Sequence, residues 1–408
     1  MVHAKRVGYW WSEKKSQKIN VAELARHFME NGYEFTLIDL DSDLELQGPF
    51  DAIIHKLSDA MCKVDRDEVA SRQVKSFEQY VKQHPEVIII DSLDNVRKVL
   101  DRYRQYKIIE NSELAIEDNV FTPTFVEMTS TDVVENLNKM KMANVKFPFV
   151  CKPILAHGTK YAHKMSIIFN ESGLQDINPP CVAQTFINHN ARLFKLFIIK
   201  DKYFVIERPS IKNFKPNYTY ETVHFDSHDI SKPYSSSALT ELDEEDVMTL
   251  NMVEPNKKRL DRIVKVITKE LGLFLLGIDV IIENETGRYA IIDMNSFPGY
   301  DGVDNFLELY CNIVIEEIEA AQRRMSTSSS NSTNSNQSCL EKRNQMDQNG
   351  GLEDISDISL NVINGDSTKN NDSQPNAVYS PNDFDSGIDT SDSCDEQPLK
   401  SDLMHDDA

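Results

Sequence analysis

Between Gly277 and Asn295 the chain carries two short apolar runs, Gly277–Glu283 and Arg288–Asn295, joined by Asn284-Glu285-Thr286-Gly287. Runs of this kind around a Gly-containing turn predict an antiparallel hairpin. Its Ile, Val and Ala pattern is interrupted by Asp279, Asp293 and Asn295. Asp293 and Asn295 are two apart and share a face. Counting around the turn places Asp279 opposite or next to Asp293, and directly paired Cβ atoms lie about 4.5–5.5 Å apart. Two carboxylates in a half-buried apolar sheet are costly unless something positive compensates. An all-oxygen set of two Asp and one Asn suits Mg²⁺, which keeps positions for water and phosphate. Zinc prefers Cys and His. A lone Asp reads equally well as an ion-pair partner or a loop cap; three on one spot favour a metal.

The first hundred residues constrain the rest. Arg6–Trp11, Phe35–Leu40, Ala52–Lys56 and Val87–Asp91 read as strands. Val21, Leu24, Ala25, Phe28 and Met29 lie on one helical face behind an Asn20 cap with Glu23 three residues on, and Gly32 stops that helix. Val74, Phe77 and Val81 mark a second helix. Strand–helix alternation implies a mainly parallel sheet with ligands at the carboxyl ends of its strands. From about residue 95 the pattern becomes α+β. It shows a helix around Val96–Tyr106, a hairpin joining Leu193–Ile199 to Tyr203–Ile206, and a helix over Lys257–Leu271 before the hairpin described above. After Arg324 the composition collapses into Ser, Asn, Asp and Gln. Such a segment cannot bury enough apolar surface to offset its chain entropy, so 325–408 is expected to be disordered.

Several cationic and polar groups stand at strand ends. Lys152 closes the strand Phe147–Pro153, and the loop Ala156-His157-Gly158-Thr159-Lys160-Tyr161-Ala162-His163-Lys164 follows. A Gly-containing cationic loop suits phosphates, although exposed Lys/His loops are common. Pro180–Ile187 is an apolar strand ending in Asn188-His189-Asn190. It is either a plain core strand or an edge that offers N–H and C=O groups to adenine. Lys195, among Leu193, Phe194, Leu196 and Phe197, either snorkels to the surface or points into a polar cleft. Arg208, Ser210 and Lys212, and later Ser227, Ser231 and Lys232, sit in polar loops that could touch phosphate or ribose. Lys14-Lys15 follows the first strand and His55-Lys56 closes the third. The strand-end rule puts both pairs on the ligand edge. Cations from separate domains suit an acceptor that already bears several phosphates, with a solvated rim as the competing reading.

Composition mainly excludes. Of a formal net charge of −22, residues 326–408 supply −12, so the body is only mildly acidic. That argues against bulk nucleic-acid binding and leaves room for a local basic pocket. The six cysteines (Cys62, Cys151, Cys181, Cys311, Cys339, Cys394) form no C-x-x-C pair and fit a reducing compartment. No signal region and no bilayer-length apolar run are visible. A cytoplasmic, monomeric protein without membrane insertion is expected. There is no G-x-x-x-x-G-K-[ST] loop, no H-R-D…D-F-G set and no G-x-S-x-G elbow.

Taken in order, Lys5-Arg6-Val7-Gly8-Tyr9-Trp10, Ser12-Glu13-Lys14-Lys15, Ile53-Ile54-His55-Lys56-Leu57, Phe147-Pro148-Phe149 through Lys152, Ala156-His157-Gly158-Thr159, Gln184 to Asn190, Arg208-Pro209-Ser210 and Asp293 to Gly299 resemble the inositol-tetrakisphosphate 1-kinases, the inositol 1,3,4-trisphosphate 5/6-kinase family. The resemblance covers about residues 5–320 and implies an ATP-grasp fold, α/β and α+β, with an N-terminal Rossmann-like parallel-sheet domain. The implied domains are 1–95 for inositol phosphate binding, 96–187 and 188–324 as the central and C-terminal ATP-grasp subdomains, and 325–408 as a disordered acidic tail. It implies two Mg²⁺ ions on Asp279, Asp293 and Asn295, with Asp293 shared. ATP would meet Arg102, Lys152, Gln184, Thr185, Phe186, Ile187 and the turn after it, Lys195, Ser210, Ser227 and Ser231. The inositol phosphate would meet Lys15, Lys56, His163, Lys195, Asn295 and Gly299. The loop from Gly158 to His163 is one residue longer than the family pattern, which keeps His157 as the alternative to His163. The implied chemistry is in-line transfer of the ATP γ-phosphoryl to the 1-hydroxyl of inositol 3,4,5,6-tetrakisphosphate, or the 5- or 6-hydroxyl of inositol 1,3,4-trisphosphate. Lys195, Asp293 and the metals would be its electrostatic elements, with no general base identified. An ATP-grasp ligase or an inactive inositol phosphate sensor would share parts of this pattern. In the tail, Asp385-Ser386-Gly387-Ile388-Asp389-Thr390 resembles a phosphodegron that a ubiquitin ligase would read once Ser386 and Thr390 are phosphorylated.

Overall fold

The computed structural model describes residues 5–325, except 118, 160, 216–218 and 249–252. Of the segment 325–408 expected to be disordered, Met325 ends a helix, and the rest, with Ser386 and Thr390, lies outside the described residues. Strands β1 (Arg6–Trp10), β2 (Glu34–Leu37), β3 (Ala52–His55) and β4 (Ile88–Ile90) make a parallel sheet in the order β2-β1-β3-β4. Parallel neighbours need crossovers. The helices Val21–Glu30 and Glu68–Gln83 supply two of them. Asn20 caps the first, accepting from the Glu23 N–H at 3.1 Å. Its Leu24 and Phe28 are buried, as are Ala70, Val74, Phe77 and Tyr80 of the second.

Two further sheets follow. One runs β12-β8-β7-β9-β6, built from β6 (Phe125–Met128), β7 (Phe149–Pro153), β8 (Lys164–Ile168), β9 (Cys181–Thr185) and β12 (Val223–Asp226), with every neighbour antiparallel. The other runs β11-β10-β13-β14-β5. It comprises β5 (Val120–Phe121), β10 (Arg192–Ile199), β11 (Lys202–Pro209), β13 (Leu275–Ile282) and β14 (Tyr289–Ser296), and only β5 joins in parallel. Both expected hairpins are present.

The period of two along a strand sorts side chains onto two faces. On the third sheet Phe194, Leu196, Ile198, Ile278, Val280 and Met294 share a core with Leu260, Ile263, Val264 and Ile267 of the helix Lys257–Leu271. Lys195, Asp279, Asp293 and Asn295 therefore fall on the opposite face. On the second sheet Phe149, Cys151 and Ala183 pack with Met140 of the helix Val133–Met142. That leaves Lys152, Val150 and Gln184 facing the other way.

The helix expected around Val96–Tyr106 is two helices, Leu93–Arg97 and Arg102–Glu110. Asp101 makes the break: its carboxylate caps the second helix by accepting from the Arg104 N–H at 2.9 Å, and its backbone bridges to Leu155. Both helices and the turn between them feed one core through Val96, Val99, Tyr106 and Ile109, which is why the apolar spacing ran through the break. A helix over 306–325 went unpredicted. Its Tyr310, Cys311, Ile313, Val314 and Ile318 share a core with Val7 and Ile54 of the first sheet, Leu24 and Phe28 of the helix Val21–Glu30, and Phe197, Ile199 and Leu275 of the third sheet. Among the described residues, Cys62, Cys151, Cys181 and Cys311 are free thiols, and no helix is long and apolar enough to cross a membrane.

Candidate active site

The hairpin register puts Asp279 directly opposite Asp293, and Gly277 opposite Asn295. A bulge after Asp279 pairs Val280 with Ile291, so Ile292 is the extra residue. Across the other edge Lys195 pairs with Asp279 in register, and its ammonium donates to both carboxylate oxygens at 2.7 and 2.9 Å. The polar-cleft reading of Lys195 therefore holds. Asn295 donates its amide N–H to Asp293 Oδ2 at 3.1 Å. Its carbonyl oxygen is thereby left for another partner. Asp293 Oδ1 lies 3.6 Å from Arg102 Nε. Both atoms are buried, and neither has a hydrogen-bond partner among the described residues.

Burial pushes the Asp279 carboxyl above the usual range, against the pull of Lys195 and with Asp293 adding to the rise. Burial pushes Asp293 up too, but Arg102, Lys152, the Asn295 bond and Lys195 outweigh it and hold it below that range. An orphaned carboxylate oxygen, an amide oxygen and a second carboxylate on one face form a donor set that fits Mg²⁺. Among the described residues no three His, Cys, Asp or Glu are grouped so that they could hold a metal ion, and the side-chain oxygen next to the carboxylate pair is that of Asn295.

Lys152 reaches across from the second sheet. Its ammonium donates to Gln184 Oε1 at 2.8 Å, the Ile292 carbonyl at 2.9 Å and Tyr106 Oη at 3.0 Å. Burial lowers its pKa to about 8, opposed by Asp293. Arg102, only 1% exposed, donates to the carbonyls of Pro153, Leu155 and Ala162. It ties both ends of the loop after Lys152 to the carboxylate pair. Gly158 lets this loop sit on the helix Ser58–Met61: its φ is +74°, and a Cβ there would meet the Asp59 carbonyl at 2.7 Å.

The two cationic pairs of the first sheet separate. Lys15 and Lys56 converge on the end of β14. Lys15 donates to the carbonyls of Phe297 and Pro298 at 3.3 and 2.8 Å, and Lys56 to those of Ser296 and Phe297 at 3.2 and 2.8 Å. Burial, then Lys56, lowers the Lys15 pKa to about 6, and burial lowers Lys56 to about 8. Gly299 follows the carbonyl that Lys15 holds. His55 turns inward instead: its Nε2 donates to the Asp91 carbonyl at 2.6 Å, and its Nδ1 accepts from the Leu57 N–H at 3.3 Å. The strand-end rule located Lys56 but misread its neighbour. The Lys14 side chain is outside what the structure describes.

Both loop histidines lie close to this site. His157 Nε2 is buried with no hydrogen-bond partner among the described residues. Burial, then Lys56, depresses its pKa to about 3 while Asp293 pulls the other way. His163 meets Ser227 Oγ at 3.3 Å, and its ring centroid lies 3.7 Å from that of His228 with the planes tilted by 42°. Burial and then His228 lower its pKa to about 4. Ser227 donates its N–H to the His163 carbonyl, and Ser231 closes the short helix Ser227–Ile230 by donating to the Ser227 carbonyl at 3.2 Å.

At the opposite end, Ile187 packs with Leu193, Ile281, Ala290, Ile292 and Phe121, an apolar patch beside the carboxylates. Phe186 packs with Ile167, Phe169 and Ile211 on the facing wall. The Thr185 hydroxyl pairs with Thr124 Oγ1 and accepts from the Lys146 N–H, and its own N–H donates to the Thr124 carbonyl at 2.9 Å. Ser210 is buried against His189. Tyr106 and Gln105 escaped sequence reading, and His189 was read only as part of the turn after Ile187. Arg102, Gln105, Tyr106 and Ile109 are all buried at helical spacing, and two polar side chains on such a stripe were the available signal. His189 looked like a turn residue.

Two sheets facing each other across lysines and a carboxylate pair, with an apolar slot at one end, define an ATP-binding cradle of the ATP-grasp type. Residues 115–316 match the family model described as the inositol 1,3,4-trisphosphate 5/6-kinase ATP-grasp domain, and residues 6–96 match the pre-ATP-grasp domain of the same family. The chain is 43% identical over 314 residues to an inositol-tetrakisphosphate 1-kinase of Danio rerio, covering 75% of this chain and 77% of that one. It is 40% identical over 334 residues to one of Xenopus laevis, covering 81% and 83%. Among solved structures, a D-alanine–D-alanine ligase of Bacillus anthracis complexed with ATP aligns at 16% identity and a TM-score of 0.47, over 80% of this chain and 99% of that one. The chain belongs to the inositol 1,3,4-trisphosphate 5/6-kinase family, with the ATP-grasp fold. It is a kinase that uses ATP to phosphorylate an inositol phosphate.

Proposed function

We propose that the acceptors are inositol 3,4,5,6-tetrakisphosphate, phosphorylated at its 1-hydroxyl, and inositol 1,3,4-trisphosphate, phosphorylated at its 5- or 6-hydroxyl. The observation that carries this reading is the convergence of Lys15 and Lys56 on the carbonyls just beyond Asn295. Two lysine amino groups, buried Lys15 and half-buried Lys56, held against neutral carbonyls beside a metal-type donor set, suit an acceptor that arrives with phosphates of its own. Asp279, Asp293 and Asn295 would hold two Mg²⁺ ions, which neutralise charge on the transferring phosphoryl group. Lys152 and Lys195 orient the ATP phosphates from opposite sheets. Arg102 fixes the loop beneath them. The Gln184–Ile187 edge takes the adenine, while Ser210, Ser227 and Ser231 complete the nucleotide contacts. Lys15, Lys56, His163 and Lys195 hold the inositol phosphate, with Asn295 and Gly299 at the shared boundary. Catalysis then rests on alignment and charge neutralisation, with no strong general base required. We divide the chain accordingly into 1–95, 96–187 and 188–324, the last two forming the grasp; β5 crosses from the central segment to pair with β14.

Transfer from labelled ATP to a panel of inositol phosphates tests this. Wild-type protein with Mg²⁺ should label the two acceptors, and Asp293→Ala should lower turnover by at least about 100-fold, the scale of losing one preorganised electrostatic element. Labelling of other inositol phosphates but neither of these would refute the acceptor assignment. Undiminished turnover in Asp293→Ala would refute the metal site.

A further inference from the structure

The Asn188-His189-Asn190 turn is bound on several sides. Asn188 exchanges hydrogen bonds with the backbone of Phe214, and Asn190 does so with Asn213. His189, at 5% exposure, sits inside this lattice. Its Nδ1 lies 2.6 Å from the Ile187 carbonyl oxygen and its Nε2 lies 2.7 Å from Ser210 Oγ.

A carbonyl only accepts, so Nδ1 carries the proton. The ring is neutral, because burial lowers its pKa to about 4. A neutral imidazole protonated at Nδ1 has a bare Nε2. The hydrogen bond to Ser210 therefore runs from the serine hydroxyl to His189. That is the only proton Ser210 Oγ has. Toward any third group its oxygen can only accept.

We infer that His189 is a positioning residue that fixes Ser210 as a hydrogen-bond acceptor, so that Ser210 reads a ribose hydroxyl of ATP and not a phosphate oxygen. This rests on the proposed membership of Ser210 in the nucleotide site. Phosphate oxygens of bound ATP carry no proton to give, and an acceptor-only serine gains nothing from them. A ribose hydroxyl has a proton to give. The placement agrees: the same imidazole holds the carbonyl of Ile187, whose side chain lines the apolar slot proposed for adenine. One ring thereby sets the backbone at the base end and the hydroxyl next to it. Two amides resemble the two halves of the imidazole. Asn at 189 places an N–H where Nδ1 is and leaves Ser210 without its acceptor. Gln places an amide oxygen near Nε2 and retains the acceptor.

The test is steady-state phosphoryl transfer to a fixed inositol phosphate with ATP, 2′-deoxy-ATP and 3′-deoxy-ATP. Wild type should show a KM about 3- to 10-fold higher for one of the deoxy nucleotides, the worth of one neutral hydrogen bond. Ser210→Ala should raise the KM for ATP and abolish that difference. His189→Gln should retain the difference and His189→Asn should lose it, with the KM for the inositol phosphate unchanged in both. If Ser210→Ala leaves the KM for ATP unchanged, Ser210 is not in the nucleotide site and the underlying reading fails. If Ser210→Ala raises the KM for ATP and both deoxy nucleotides by the same factor, Ser210 is in the site but reads no ribose hydroxyl, and the inference alone is overturned. Equal loss of the difference in the Asn and Gln variants would reduce His189 to a structural residue.

Discussion

Lys15 should take up a proton when the inositol phosphate binds. In the free protein its amino group is buried against two carbonyls, and its pKa stands at about 6. At about pH 7.5 roughly 3% of such a group is charged. A phosphate at contact distance reverses this. Two unit charges about 4 Å apart attract by about 4 kcal/mol at an effective dielectric of 20, equivalent to about three pKa units. That carries Lys15 to about 9 and leaves it almost fully charged in the complex. The expected uptake at Lys15 is close to one proton. Lys56, at about 8 in the free protein, is already about three-quarters charged at that pH and adds only about a quarter. Calorimetric titration in buffers of different ionisation enthalpy counts the protons. Ionisation of the ligand itself largely cancels in the difference between wild type and Lys15→Met, which retains the length and apolar stem of the side chain. The difference should be about one proton. A difference below about 0.3 would refute the argument, either because Lys15 is charged before binding or because no phosphate reaches it.

The same shift sets a stability trend. The unfolded chain holds the Lys15 proton up to about 10.5 and the folded chain only to about 6, so folding is penalised most at low pH. Chemical denaturation should find Lys15→Met more stable than wild type, with the gap shrinking by up to about 1.4 kcal/mol per pH unit above pH 6. Tyr106→Phe removes one of the three partners of the buried Lys152 ammonium. It should cost about 1–3 kcal/mol in denaturant midpoints and raise the KM for ATP. Asp91→Ala leaves the Phe274 and Leu275 N–H groups, at the start of β13, without their carboxylate. Urea unfolding should register a loss of about 2–4 kcal/mol, and hydrogen exchange should quicken first at those two amides.

The hairpin was the most legible part because its information is local. A period of two and a short turn placed Asp279 against Asp293, although the bulge at Ile292 left no mark in the pattern. Lys15 and Lys56 were legible as strand-end cations by the parallel-sheet rule. What they hold, the carbonyls of residues 296–298, is some 240 positions or more away in sequence and could not be read. His55 failed for the opposite reason. It obeys the same rule, but a long-range partner, the Asp91 carbonyl, drew it inward. The split of the Val96–Tyr106 helix turned on whether Asp101 capped or continued, a choice that apolar spacing does not record. The hydroxyl polarity of Ser210 needed the tautomer of His189, which the two contacts of its ring define.

The helix over 306–325 bears on how the chain is made. The strands of the first sheet are complete by Ile90, yet Leu24, Phe28 and Ile54 share their core with Tyr310, Ile313 and Ile318. A ribosome would have to deliver more than two hundred further residues before that apolar face finds its cover. The amino-terminal segment thus cannot mature as it emerges, and its contacts are among the longest in sequence that the fold contains. A nascent chain stalled short of residue 318 would show an unfinished first sheet to the surrounding chaperones.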